Sequence, residues 1–428
     1  MENSLIAIIA VFTFVPIVVG ILLGLLRGSR RALLRLILIV VCAVLAFVLS
    51  GAMASTVVET DVSAYYGSGE PMTLAEMLAE MLGEGFEGVV PSLMPFIQTL
   101  VKVMMFLVLF LLLQLITWLI VYPLCKLFVK PKKVTDANGN VKKKKRRLIG
   151  AAIGLVQGVA IALILCITFN GLFAHFGTLA EAMEGFSTSE ENTSSSDESE
   201  QSLTAALDDY NGSALGKIYN GIGEKPFEWI SSVKLEDRTV TLGGQVEALS
   251  SLVKVGKELM AIADVDFADN FYDSENIAKL AGILQRIEDI KGNLSDEAKI
   301  TFKGMLVALG DMFGIDQELL NKFNELDLVK EAEAFEKLSA YKEKDFSQVT
   351  KDEVKGIITS LADSELMLDM LEGSGDVDLG NKLDDEHLNE IRDTLDEMVA
   401  AGDITEAKAD QLREIFCLNG GGSNTEED

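Results

Sequence analysis

A reaction centre needs a nucleophile, a base or a metal ligand, and histidine and cysteine, two residue types that often serve in these roles, are scarce in this chain. It contains two histidines and four cysteines. His387 lies in the acidic run Asp384-Asp385-Glu386-His387, at the expected start of an exposed helix, and no Gly-x-Ser-x-Gly turn supplies it with a nucleophile. His175 falls at the far end of an apolar stretch, where an interfacial role is expected. Cys42, Cys125 and Cys166 lie within apolar runs, where a thiol behaves as a small hydrophobe. Cys417 stands beside Ile415 and Phe416 as a core thiol, with pairing between chains as the alternative. No Cys/His spacing suits zinc. The stretch Asp376-Val-Asp378-Leu-Gly380-Asn381 resembles a calcium loop, but its turn glycine comes one place early and His387 holds the twelfth position, where a bidentate Glu is needed. No catalytic residue, cofactor or metal is expected, and the chain reads as a non-enzyme.

The residues with positional meaning lie instead in four long apolar stretches. These run over about 5–26, 33–53, 96–122 and 148–173, and each is long enough to cross a bilayer. The first is preceded only by Glu2 as a charge and ends without a small-residue cleavage site, so it reads as a span and not a signal peptide. Gly20, Gly24 and Gly28 recur every four residues at the end of the first span. Gly150, Gly154 and Gly158 do the same at the start of the fourth. Such spacing keeps each set on one helix face and lets a second backbone approach closely. The polar residues weighed within the spans are Gln114, Thr117, Gln157 and Asn170. Gln114 and Gln157 are expected to bond between helices. No Asp, Glu or His lies mid-span, which argues against a proton or ion pathway.

Charge divides the chain. Residues 1–176 carry 15 Lys and Arg against 9 Asp and Glu, whereas the whole chain has a formal net charge of −28. The second part is therefore strongly acidic. Arg27, Arg30, Arg31 and Arg35 crowd the turn after the first span. Lys126, Lys130, Lys132, Lys133 and the block Lys142–Arg147 fill the loop between the third and fourth. The loop over about 54–95 has seven acidic residues and no Lys or Arg. The positive-inside rule puts both basic loops in the cytoplasm, against anionic lipid, and the N-terminus and everything after 177 on the other side. The basic block lacks interleaved aromatics, so nucleic acid is not expected as a partner. Within the acidic loop, Leu74, Met77, Leu78, Met81 and Leu82 oppose Glu76, Glu80 and Glu84. They predict an amphipathic helix that caps the bundle.

The region 177–202 reads as a flexible linker, Ser/Glu-rich from about 187 and unable to bury a core. Residues 203–418 then read as an acidic helical domain, with about eight helices from 242 to 417, and 419–428 as a disordered tail. Thr350 with Glu353 predicts a capping box, and Ser295 a helix N-cap. A short strand is expected only at Arg238–Leu242. The fold class is all-α: a four-transmembrane-helix bundle plus a soluble extracytoplasmic α-helical domain.

Arg27-Gly28-x-x-Arg31 closes the first span, and Arg147-x-x-Gly150-x-x-x-Gly154-x-x-x-Gly158 opens the fourth. With four spans and two basic loops, the first 176 residues or so resemble the CvpA family, the colicin V production proteins of bacteria. Arg146 stands where family members often have an acidic residue, and Gln157 where they often have a second arginine. The resemblance implies a multi-pass protein of the bacterial inner membrane, linked to toxin production or export and to envelope maintenance. Some relatives append a serine protease, for which the second half lacks the residues. The expected role is that of a scaffold or assembly factor whose acidic domain meets an extracytoplasmic protein. The alternative is a transporter, pore or export accessory built by homo-oligomerisation through the glycine faces.

Overall fold

In a computed structural model, the protein is described over residues 4–61, 71–82, 88–124, 133–135, 141–143, 147–183, 206, 209–235, 238–263, 274–312, 326–342, 350–365, 368, 385–416 and 418. Among the described residues the architecture is all-α apart from two short hairpins. Cys125, Cys417, the Asp376–Asn381 stretch, the Ser/Glu-rich segment and the tail after 418 lie outside the described residues.

The bundle is built from α1 (Ser4–Arg27), α2 (Ser29–Glu59), α4 (Val90–Ile116) and α5 (Arg147–Met183), with a short α3 (Leu74–Leu82) between α2 and α4. Four helices, Ile6–Leu26, Ser29–Thr56, Val90–Leu124 and Arg147–Met183, are long and apolar enough to cross a membrane. The helices overrun the expected spans. α4 starts at Val90 because Pro91 sits in its first turn, where a missing N–H breaks no helical bond. α5 continues to Met183, so Gly177–Met183, expected in the linker, is helix. One residue, Gly28, separates α1 from α2, with φ 79°, a conformation side chains other than glycine's rarely adopt. Past Ile116 the backbone widens into a π-helical turn, Thr117–Val121, and the Thr117 hydroxyl lies 3.2 Å from the Cys42 thiol.

α3 contacts α2 and α4. Its N-terminus is a capping box: the Glu76 carboxylate accepts from the Thr73 amide at 2.6 Å, and the Glu76 amide donates to the Thr73 hydroxyl at 3.3 Å. The backbone bond from Thr73 holds the Glu76 carboxyl below its ordinary value. The stability from that cap is therefore fully present above the usual carboxylate range and is lost as pH falls through the lowered value beneath it. In the basic loop, β1 (Lys133–Thr135) pairs antiparallel with β2 (Val141–Lys143). Asn138-Gly139 between them is a sequence signal for such a hairpin.

The chain forms two compact units, residues 1–253 with 294–316, and residues 254–293 with 317–428. This partition differs from one drawn on composition, because several later elements belong with the spans. These are α6 (Ala214–Ser231), the hairpin of β3 (Val233–Lys234) and β4 (Thr239–Val240), the first part of α7 (Leu242–Ala263), and α9 (Asp296–Met312). One hydrophobic core runs through Ile9, Ala46, Phe106, Cys166, Tyr219, Phe227 and Leu242 without a break. The expected strand at Arg238–Leu242 contains β4; its partner Val233–Lys234 was not foreseen.

α7 and α9 cap each other. The Glu297 carboxylate accepts from the Thr241 amide at 2.6 Å and its hydroxyl at 3.0 Å, at the start of α7. Glu247 accepts from the Ser295 amide at 2.9 Å and hydroxyl at 2.6 Å, at the start of α9. Ser295 in turn receives the Ala298 amide at 3.3 Å, as an N-cap should. Each carboxylate satisfies donors that the helix leaves unpaired. Glu297→Gln should cost about 1–2 kcal/mol, and Glu297→Gln with Glu247→Gln should depart from additivity by about 0.5 kcal/mol or more. Thermal unfolding of the four proteins of that cycle in mild detergent measures both.

The second unit contains α8 (Ser274–Gly292), α10 (Leu328–Lys342), α11 (Lys351–Asp363), α12 (Asp385–Ala401) and α13 (Glu406–Ile415). Leu284, Ile287, Leu328, Phe335, Ile358, Leu361, Leu395 and Leu412 are buried in it. The Thr350–Glu353 capping box is present. Buried Glu331 accepts from the Ser364 hydroxyl and, at 3.0 Å, from the Glu365 amide, fastening α10 to the end of α11. Arg413 bridges Asp396, Glu406 and Asp410 at 2.6–2.9 Å, and those carboxylates raise its guanidinium pKa.

Candidate functional site

The two glycine sets meet each other. α1 and α5 run antiparallel with Gly20 against Gly154 and Gly24 against Gly150, backbone to backbone. A Cβ on any of these four would fall onto the carbonyl oxygen of its partner. Gly158 faces Pro16 and Ile17 of α1 in place of a third glycine. Gly28 has two duties: it makes the turn between helices, and its Cα lies where a Cβ on Gly150 would point. Without a hydrophobic drive between apolar helices in lipid, such close approach is a principal source of their attraction.

Next to this seam, the buried Gln157 amide donates to the Ala32 carbonyl at the start of α2, tying a third helix to the pair. Gln114 differs: its Nε2 is buried and has no partner among the described residues. Arg27 ends α1. Arg31 is half-buried near the start of α2, and Arg147 is exposed at the start of α5. The structure thus brings the glycines and Gln157 together, with Gln114 apart from them.

Farther from the basic loops, α6 seats on the bundle through polar groups of which the sequence had pointed to Asn170, Cys166 and His175 but not to Thr13, Tyr219 or Asn220. The Thr13 hydroxyl donates to or accepts from the Tyr219 hydroxyl at 2.9 Å and lies 3.4 Å from the Cys166 thiol. Asn170 donates to Asn220 at 2.7 Å, and Asn220 to Asn211 at 3.2 Å. Gly171 lies under the Phe227 ring so closely that a Cβ would enter it, and His175 packs against the same ring at 5.4 Å. Burial pushes the Tyr219 phenol up to about 12 and raises that of Tyr210 further, so both stay protonated. The Tyr210 hydroxyl is buried with no hydrogen-bond partner among the described residues.

Lys102 closes the far end. It stands on α4 and is only 5 % exposed. Its ammonium donates to the Ser232 carbonyl just after α6 and lies 4.6 Å from the centre of the Phe47 ring. A single basic residue near a span end looks like an interfacial charge in sequence, and only its neighbours reveal it as a clasp. Among the described residues, no group of three His, Cys, Asp or Glu side chains is placed to hold a metal ion. What the described residues of this site do is hold helices together, through the glycine contacts and the hydrogen bonds to α2 and α6. Comparison of the chain with family models, curated proteins and solved structures finds no match.

Proposed function

We propose that this chain is a multi-pass protein of the bacterial inner membrane, of the colicin V production type, that acts as a scaffold or assembly factor in toxin export or envelope maintenance. The supporting observation is the pairing of the two glycine faces within one chain. A pore assembled by joining bundles through those faces would need them free. Here they are consumed in building a single bundle, on which α6 is seated. The acidic second half, on the side opposite the basic loops, then presents a negatively charged helical surface to an extracytoplasmic protein. Its charge repels anionic headgroups and keeps it available to that partner.

Crosslinking from the second half in intact cells, followed by identification of the captured protein, tests this reading. One specific partner, captured equally by a Gln157→Leu variant that folds, is the expected result. Solute passage through liposomes that depends on Gln114 or Gln157 would replace the scaffold by a pore.

A further inference from the structure

The outward side of α6 carries a second interaction surface, distinct from the seat that fixes it to the bundle. At about 100° per residue, its side chains fall into three sectors. Gly216, Tyr219, Gly223, Phe227 and Ile230 form the buried sector against the bundle. Lys217, Asn220, Glu224 and Glu228 form a polar one. Between these lies an apolar stripe of Ile218, Ile222 and Trp229, which are 52 %, 54 % and 66 % exposed. A helix wetted on every free side would not need that stripe.

The height of α6 on the bundle says what covers the stripe. Counting about 1.5 Å per residue from the basic ends of their helices, Thr13 stands about 21 Å up α1, Phe47 about 27 Å up α2 and Cys166 about 29 Å up α5. Tyr219 meets Thr13 and Cys166, while Trp229 stacks on Phe47 with ring centroids 4.5 Å apart. On the same count Asn170, Gly171 and His175, which meet Asn220 and Phe227, stand about 34, 36 and 42 Å up α5. The contacts of α6 thus range from about 21 to 42 Å, across the far edge of a hydrocarbon layer about 30 Å thick and into the headgroup region beyond it. Trp229 is also continuous with the exposed apolar side of α2, where Val44 and Val48 are 57 % and 60 % exposed.

We propose that α6 lies in the plane of the membrane at the interface opposite the basic loops, with Ile218, Ile222 and Trp229 among the lipid acyl chains. Its polar sector faces water, and its buried sector faces the bundle. The leaflet would thereby share in holding α6 on the bundle. A tryptophan at that depth is the residue type that interfaces favour. This inference rests on the membrane reading above.

The two tryptophans of the chain, Trp118 and Trp229, make it testable. The full-length Trp118→Phe protein, placed in phosphatidylcholine vesicles, leaves Trp229 as the sole emitter. Lipid brominated near the headgroup end of its chain should quench that emission about twofold or more, and lipid brominated near the methyl end less. Aqueous iodide should quench it weakly. Strong iodide quenching with no effect of brominated lipid would place α6 in water and overturn the proposal. Protection from both quenchers would overturn it too, since the stripe would then be covered by protein. The Trp229→Phe protein is the control: Trp118 is 52 % exposed on the third span and should be quenched by brominated lipid. If Trp118 responds and Trp229 does not, this proposal fails alone. If neither responds, the membrane reading fails with it.

Discussion

Replacing Gly154 by leucine should unfold the bundle or cost more than about 3 kcal/mol, the upper part of the range for forcing bulk into a packed interface. The reason is local. A Cβ at Gly154 meets the Gly20 carbonyl and the Gly24 Cα, which are backbone atoms that cannot swing aside. Relief requires α1 and α5 to separate along their length, which also strips Gly24 from Gly150. Gly51 provides the contrast. It lies in another apolar helix, and a Cβ there would meet only the end of the Lys102 chain at 3.8 Å, an ordinary contact. Gly51→Ala should therefore change stability by no more than about 0.5 kcal/mol. Unfolding by sodium dodecyl sulfate in mixed micelles measures both variants. Similar losses at the two positions would mean that glycine is present merely as a common residue of such helices.

The second large effect belongs to Lys102. Lys102→Met keeps the aliphatic stem against Phe47 but removes the donor to the Ser232 carbonyl and the charge above the ring. The expected loss is about 2–3 kcal/mol, from one charge-assisted hydrogen bond and one cation–π contact. It should fall on the seat of α6, leaving the glycine seam intact. Cys166 reports this, because its thiol is fully buried beneath Tyr219. A membrane-permeant maleimide should modify Cys166 at least about fivefold faster in the variant, as a weakened local structure opens more often. Unchanged reactivity would show that Lys102 does not hold α6 down.

The spans were legible because an uninterrupted apolar run of this length has no other comfortable solvent. The glycine faces were legible for a different reason: a spacing of four names the face but not its neighbour. Nothing in the spacing distinguishes α5 of the same chain from α1 of another copy, and that pairing had to come from the fold. α6 stayed hidden because its Lys217, Glu224 and Glu228 resemble the charges of any water-exposed helix. The available signal was the separation of Gly216, Tyr219 and Gly223 from Ile218, Ile222 and Trp229 into two apolar sectors, where an ordinary amphipathic helix has one. Thr13, Tyr219 and Cys166 were illegible as a group. They come from helices far apart in the chain, and each is unremarkable where it stands. Composition drew the division near 203, whereas contacts draw it later, because polar residues that bond to the bundle count as polar in one view and as core in the other.

The central claim is that the acidic half and the basic loops stand on opposite sides of the membrane. It is tested most directly by replacing Cys42, Cys125, Cys166 and Cys417 and introducing one cysteine at Ser195 or at Asn138. In intact cells whose outer barrier has been opened, an impermeant maleimide should label Ser195→Cys fully. Asn138→Cys, in the basic loop, should react only after the inner membrane is broken. Labelling of Asn138→Cys in intact cells with protection of Ser195→Cys would contradict the orientation, and with it the proposal that the acidic half meets an extracytoplasmic partner.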